Sequence, residues 1–281
     1  MYPVLSNETM ALKVHRLVVC APRVAYDYLP GQFVTLRVDD GYDRTPAIIT
    51  KVDASLGTIT LVVQAVGNDT QAIVAMQKGE SFCEVAGPLG RPTEIQASGR
   101  VICIGEGLGA AVLYPIVQAL AHADSEVTTL VGGRSEPCVT LRNELWRFSR
   151  VVATSEDGSV GTAGPVSAAF EHLLNDSPGQ IDAVYVAGSV PMMAAIARQT
   201  RPLKIRTIIS LNPTMVDDLG RCRGCQIKIK GHVKVACVDG PEFDGHQVDF
   251  SESSHWHRPQ NKRACRLLKL VDRPTSAQSY C

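Results

Sequence analysis

The sequence predicts a small antiparallel β-barrel, then a doubly wound parallel-sheet α/β domain, then a small cysteine-bearing subdomain. Three changes of pattern carry that expectation. Up to about residue 96, short apolar or alternating runs are broken by turn residues, and from about residue 98 strand-like and helix-like runs alternate. From Leu211 the helical rhythm stops, and a stretch rich in cysteine and glycine runs to about Phe250.

In the first region Ala11–Val19, Phe33–Val38, Thr58–Gln64 and Ser81–Val85 read as strands, and Asp69–Met76 reads as a helix. Pro30-Gly31, Asp39-Asp40-Gly41 and Gly87-Pro88-Leu89-Gly90 punctuate them, which suits a barrel better than a parallel sheet. In the second region the strands are Arg100–Ile104, Glu126–Val131, Arg150–Ala153, Ala183–Ala187 and Lys204–Ser210. Helices are expected between them at Ala110–Ala121, Leu141–Phe148, Pro165–Leu174 and Val190–Thr200. Such alternation implies a parallel sheet with helices on its faces. The domains are therefore expected at 1–97, 98–210 and 211–250. A basic tail at 251–281, with Lys262, Arg263 and Arg266, is a candidate partner contact.

The chain has 281 residues, 45% of them hydrophobic, enough for two ordinary domains. Lysine plus arginine equal aspartate plus glutamate at 28 each, so no overall field attracts nucleic acid or an anionic membrane. No run approaches the roughly 20 apolar residues of a membrane span. Met1-Tyr2-Pro3-Val4 lacks a basic segment followed by an apolar one, and the expectation is a soluble cytoplasmic protein.

Of the nine cysteines, Cys20, Cys83, Cys103 and Cys138 are scattered and are expected to pack as small hydrophobes. Cys222, Cys225 and Cys237 crowd together, and in a reducing compartment such a cluster points to a metal site rather than a disulfide framework. Four residues separate Asp217 from Cys222 and two separate Cys222 from Cys225. That is the plant-type spacing for a [2Fe–2S] cluster, with aspartate in the place of the first cysteine. Gly220 and Gly224 supply the bend that wraps a loop around a flat cluster. The ligand set read from this pattern is Asp217, Cys222, Cys225 and Cys237, with Asp218 as the competing oxygen ligand. A structural zinc ion is the alternative occupant of such a set. The neighbouring domains favour a redox centre.

The apolar strand Val101-Ile102-Cys103-Ile104 runs into Gly105-Glu106-Gly107-Leu108-Gly109 before a helix. A glycine turn there lets a pyrophosphate approach the backbone and the helix N-terminus. The pattern departs from the strict dinucleotide fingerprint because its third glycine comes early and Glu106 adds a carboxylate. The later strands end in Gly132-Gly133-Arg134, in Asp157-Gly158 and in Gly188, so glycine-bearing loops gather at one edge of the sheet. Arg134 suits a phosphate or a ribose, and suits a solvated surface equally well.

In the first region Pro30-Gly31-Gln32-Phe33-Val34, Arg44-Thr45-Pro46-Ala47-Ile48, Gly67-Asn68-Asp69-Thr70 and Gly87-Pro88-Leu89-Gly90 stand at intervals that resemble ferredoxin reductase-like flavoproteins. The resemblance implies FAD. The segment Arg44–Ile48, with Arg44, Thr45, Pro46 and Ala47 as binding residues, would lie along the isoalloxazine and ribityl chain. The turn at Asp69-Thr70 would open a helix whose amides hold the FAD phosphates, and Gln64, Val66 and Gly67 would complete the cofactor-binding set. The run from Ser210 to Asp217, with Ala236-Cys237-Val238-Asp239-Gly240-Pro241-Glu242-Phe243-Asp244-Gly245-His246, is similar to the smaller subunit of NADH-dependent ferredoxin:NADP oxidoreductase. The sulfide dehydrogenase small subunit is a close relative, and the dihydroorotate dehydrogenase electron transfer subunit a more distant one.

That resemblance covers about residues 1–250. It implies an electron-transfer subunit with NAD(H) or NADP(H), FAD and a [2Fe–2S] cluster. Electrons would be relayed to or from a larger flavin and [4Fe–4S] partner subunit, and through it to or from ferredoxin, with electron bifurcation as one mode of such a complex. No side chain is singled out as catalytic, because the cofactors carry the chemistry. Glu106, Ile48, Val112 and Arg223 depart from residues usual in the family, and the dihydroorotate dehydrogenase relatives use cysteine where this chain has Asp217. Two other readings stay open: the electron transfer partner of a dihydroorotate dehydrogenase, and a non-catalytic assembly subunit that keeps the fold.

Overall fold

A computed structural model of the protein describes residues 1–96, 99–176, 180–211 and 226–251. The first region contains β1 (Tyr2–Ala11), β2 (Val14–Cys20), α1 (Pro22–Asp27), β3 (Phe33–Arg37), β4 (Thr45–Asp53), β5 (Thr58–Gln64), α2 (Asn68–Ala75), β6 (Ser81–Phe82) and β7 (Glu84–Leu89). The second contains β8 (Arg100–Glu106), α3 (Gly109–His122), β9 (Glu126–Gly133), α4 (Arg142–Leu145), β10 (Arg150–Ser155), β11 (Thr162–Ala163), α5 (Val166–Asp176), β12 (Ala183–Ala187), α6 (Val190–Thr200) and β13 (Arg206–Ser210). Beyond residue 225 follow β14 (Gln226–Ile229), β15 (His232–Val235), α7 (Ala236–Asp239) and β16 (Glu242–Asp244).

The first seven strands form one antiparallel, nearly closed sheet in the order β6-β1-β2-β5-β4-β3-β7. Side chains of a strand alternate between its faces, so every second residue turns inward. Leu17 and Val19, Val34 and Leu36, Ala47 and Ile49, and Ile59, Leu61 and Val63 meet Ile73 of α2 and Phe82 in the barrel interior. The run expected as one strand over Ala11–Val19 is the second half of a hairpin, turning at Leu12 and Lys13, whose φ is 62°. Polar residues hide β1 from a hydrophobicity reading. Asn7 is held by the barrel all the same, donating to the Val74 and Met76 carbonyls at 2.8 Å each and meeting His15 Nδ1 at 2.9 Å.

The second sheet has the order β11-β10-β9-β8-β12-β13-β16, parallel except for β16, which pairs antiparallel with β13. β12 is buried along its whole length, and β8 from Val101 to Gly105, as strands covered on both faces must be. Each fully buried aliphatic side chain there contributes about 1.5–3 kcal/mol. The helix expected at Leu141–Phe148 shrinks to the single turn of α4. Leu141 takes a left-handed φ of 58° and cannot start it, and beyond Leu145 the chain tightens into three-residue turns, Arg147 N donating to Glu144 O at 3.3 Å and Phe148 N to Leu145 O at 3.0 Å.

The described chain divides into two compact units. One comprises residues 1–92 with 226–241, the other Thr93–Leu211 with Glu242–Phe250. The stretch expected as one subdomain over 211–250 thus divides between Pro241 and Glu242. No helix among the described residues is long and apolar enough to cross a membrane.

Candidate functional site

The residues predicted to surround FAD come together at one corner of the barrel. The β4–β5 ladder begins at Ile48 and Val62, so Thr45, Pro46 and Ala47 pair in the sheet with β3 alone. Beyond the end of the ladder, Gln64 and the half-exposed Val66 lead into Gly67, the N-cap of α2. The Thr70 hydroxyl folds back over this turn, accepting from the Val66 and Gly67 amides at 2.9 Å each. Asp69 Oδ1 accepts from the Asp43 amide at 3.4 Å and so ties the helix start to the loop before β4.

Arg44 is not a loose cation. Its Nε donates to both oxygens of Glu84, at 3.0 and 2.9 Å, and Arg37 Nε lies 3.3 Å from the same carboxylate. Glu84 escaped the sequence reading because it stands on a strand remote in sequence from Arg44, and Arg37, on the preceding strand β3, because it carries no motif. The corner fits a polar group. Val34 and Leu36 point inward, so Thr35 faces outward opposite Pro46, and its buried hydroxyl has no partner among the described residues.

The predicted nucleotide residues collect at the carboxyl edge of the parallel sheet. β8 is flanked by β9 on one side and β12 on the other, so the chain reverses its direction of winding there. Ligands of doubly wound sheets bind at such a switch point. Gly107 has φ +57° with open space where a Cβ would project, and its amide donates to Gly132 O at 2.9 Å. The Thr140 hydroxyl donates to the Gly107 carbonyl at 3.2 Å, a support with no sequence signal. A Cβ on Gly109 would lie 1.9 Å from Ala187 O, so only glycine lets α3 approach β12 this closely. Leu108 is its N-cap residue.

The loops after β9 and β10 are joined by backbone bonds, Glu156 N to Gly133 O at 3.0 Å and Asp157 N to Arg134 O at 3.2 Å. Arg134 is exposed. Asp157 accepts from the Ser159 hydroxyl at 2.6 Å and the Ser159 amide at 3.0 Å, and these bonds hold its carboxyl below the usual range. Gly158 completes that turn. The Thr154 hydroxyl beside Gly132 is buried without a partner among the described residues, and the crevice fits a ligand rich in hydroxyls and phosphates. Gly188 and Glu106 meet across the switch point, where Glu106 Oε2 accepts from the Ser189 amide at 3.0 Å.

Of the predicted cluster ligands, Asp217, Cys222 and Cys225 lie outside the described residues. Cys237 is buried, packed with Phe33, Leu89, Val235 and Val238. Asp239 Oδ2 accepts from the Val235 amide at 2.8 Å at the start of α7, and Arg91 N donates to Gly240 O at 2.7 Å. The thiol therefore sits in a dry, apolar seat on the barrel. Among the scattered cysteines, Cys103 is buried as expected, Cys20 is buried but disulfide-bonded rather than a free thiol, and Cys83 and Cys138 are exposed.

One buried acid was not anticipated. Glu242 Oε1 accepts from the Thr93 hydroxyl at 2.8 Å, and burial pushes its carboxyl up to about 7 against the opposing pull of that bond and of Arg206. Burial, seconded by Glu242, also raises the Cys103 thiol.

Comparison with known proteins agrees with this architecture. The family model of the iron–sulfur cluster binding domain of dihydroorotate dehydrogenase B matches residues 212–249. Over 232 residues the chain is 35% identical to a dihydroorotate dehydrogenase B (NAD(+)), electron transfer subunit homolog of Thermotoga maritima, covering 83% of this chain and 82% of that one. A dihydroorotate dehydrogenase B (NAD(+)), electron transfer subunit of Streptococcus pneumoniae is 31% identical over 221 residues, 76% of this chain and 86% of that one. Among solved structures, that of an NADH-dependent reduced ferredoxin-NADP oxidoreductase, which gave insights into flavin-based electron bifurcation, matches with a TM-score of 0.83 at 32% identity, covering 91% of this chain and 92% of that one. On this identity and coverage the chain belongs to the family of dihydroorotate dehydrogenase B electron transfer subunits and their homologues, built on a ferredoxin reductase-like fold.

Proposed function

We propose that the chain is an electron-transfer subunit linking a nicotinamide dinucleotide, FAD and a [2Fe–2S] cluster to a larger flavin and [4Fe–4S] partner. Arg44–Ala47 and the first turn of α2, with Gln64, Val66, Gly67, Asp69 and Thr70, would hold FAD. The switch-point loops, with Gly105, Gly107, Leu108, Gly109, Gly132, Arg134, Asp157, Gly158 and Gly188, would hold NAD(H) or NADP(H). Asp217, Cys222, Cys225 and Cys237 would ligate the cluster. When bound, flavin and cluster supply the exchange between two-electron and one-electron chemistry.

The chain's own part is placement. Glu84 fixes the Arg44 guanidinium just before β4, and the α2 amides present positive dipole ends to an anion. The apolar seat around Cys237 keeps water from the sulfur, which raises the cost of adding charge there and tunes the potential of whatever it ligates. The main support is the membership of the whole chain in one electron-transfer family, together with a buried Cys237 inside the segment matched by that family's iron–sulfur domain.

Protein purified without oxygen together with its native partner should be yellow-brown, release FAD, and give the electron paramagnetic resonance signal of a reduced [2Fe–2S] centre. Its flavin should bleach with NADH or NADPH. Colourless protein with stoichiometric zinc would overturn the reading. The printed names of the curated relatives favour one second reading, the electron transfer subunit of a dihydroorotate dehydrogenase. The activity of the co-purifying large subunit decides between the two.

A further inference from the structure

The contact between Glu106 and Ser189 crosses the topological switch point. Glu106 ends β8, and Ser189 caps α6, an eleven-residue helix that follows β12. β8 and β12 are hydrogen-bonded neighbours up to Gly105 and Ala187, so the two loops open side by side above the same edge. Glu106 Oε2 accepts from the Ser189 amide at 3.0 Å, and a Cβ on Gly188 would stand 2.7 Å from Glu106 Cβ. Ser189 is exposed and Glu106 partly so; the carboxylate therefore lies at the mouth of the crevice and not in the core.

An α-helix N-terminus carries roughly half a positive charge, and its free amides attract anions. In this chain one such amide is already taken by a fixed negative charge, and the Ser189 hydroxyl receives the Met192 amide at 3.4 Å. The same carboxylate stands one residue from Gly107, in the turn that would admit a pyrophosphate.

We propose that Glu106 is a built-in competitor for the anionic part of a dinucleotide, a side chain that sets nucleotide affinity by occupying the α6 amide and repelling phosphate at the switch point. This rests on the reading of that crevice as the nucleotide site. Unit charges a few ångströms apart at a protein surface interact by more than 1 kcal/mol before screening, so removal of the charge should tighten binding about ten-fold.

The test is calorimetric titration of the full chain, with its bound cofactors, by ADP-ribose and by NADH. ADP-ribose carries the pyrophosphate but accepts no electrons, so binding is read apart from activity. Glu106→Gln keeps an acceptor for Ser189 and loses the charge; it should bind both ligands about ten-fold more tightly, by less as salt is raised. Glu106→Asp keeps the charge and should stay near the parent. Unchanged or weaker binding by Glu106→Gln overturns the proposal, and so does equal tightening by Glu106→Asp, which would mean packing rather than charge. If the parent and both variants alike bind neither ligand, the nucleotide site itself is wrong and the proposal falls with it. Unaltered thermal unfolding of Glu106→Gln verifies that the fold is intact.

Discussion

At the barrel corner one carboxylate, Glu84, holds Arg37 and Arg44 together, and at the edge of the second sheet another, Glu242, is held by the neutral hydroxyl of Thr93. The Glu242 carboxyl lies deep although the residue as a whole is only partly buried; it faces Thr93 from the entering segment, Arg206 from β13, Tyr185 from β12 and Cys103 from β8. Burial favours its neutral form, and the consequence for stability has a definite sign. Because the folded value of about 7 exceeds the ordinary 4.5, the folded chain binds the proton more tightly than the unfolded chain does. The contribution is complete below the ordinary carboxylate range and is lost as pH rises through the folded value, by up to about 3 kcal/mol. Urea unfolding of Glu242→Gln should show a flatter pH dependence than the parent between about 4.5 and about 7, and parallel curves would rule the assignment out.

Among the elements, α3 depends on a missing side chain. Gly109 lets its first turn press on the backbone of β12, and Gly105 does the same for the turn before it, where a Cβ would meet Ala110 N at 2.8 Å. Gly109→Ala should therefore cost about 2 kcal/mol or more, despite the better helix propensity of alanine, because a backbone carbonyl cannot step aside as a side chain can. Chemical denaturation measures the loss directly. Elements with a strong period were legible in advance: β5, β12 and α6 lie where the sequence puts them. β1 and the β14–β15 hairpin were not. Asn7, Glu8 and Thr9 interrupt any apolar alternation in β1, which partners remote in sequence help hold in place, whereas Ile227 and Ile229 in β14 and Val233 and Val235 in β15 do alternate with polar residues, but over runs of only four residues each.

At the scale of the whole molecule, the chain returns to the barrel after building the second sheet. Residues 226–241 belong with residues 1–92, and Phe33 and Leu89 form the seat in which Cys237 lies. Loss of a cluster bound through Cys237 should loosen that seat first. Hydrogen exchange after gentle removal of iron should show faster exchange across β14, β15 and α7, with β8, β12 and β13 unchanged. Uniform loosening of both units would contradict this, since the second sheet draws its stability from a separate buried core.

The sequence by itself determined the two fold classes, the strand-to-helix turn at Gly105–Gly109 and the spacing from Asp217 to Cys225, because hydrophobic period, glycine punctuation and ligand interval are local properties of the chain. What only the tertiary structure decided is which distant residues share a site: Glu84 with Arg44, Thr140 with Gly107, Cys237 with Phe33, and Glu106 with Ser189. Those pairings depend on strand order and register, which place residues far apart in the chain within hydrogen-bonding distance. No period or motif within either partner encodes that proximity.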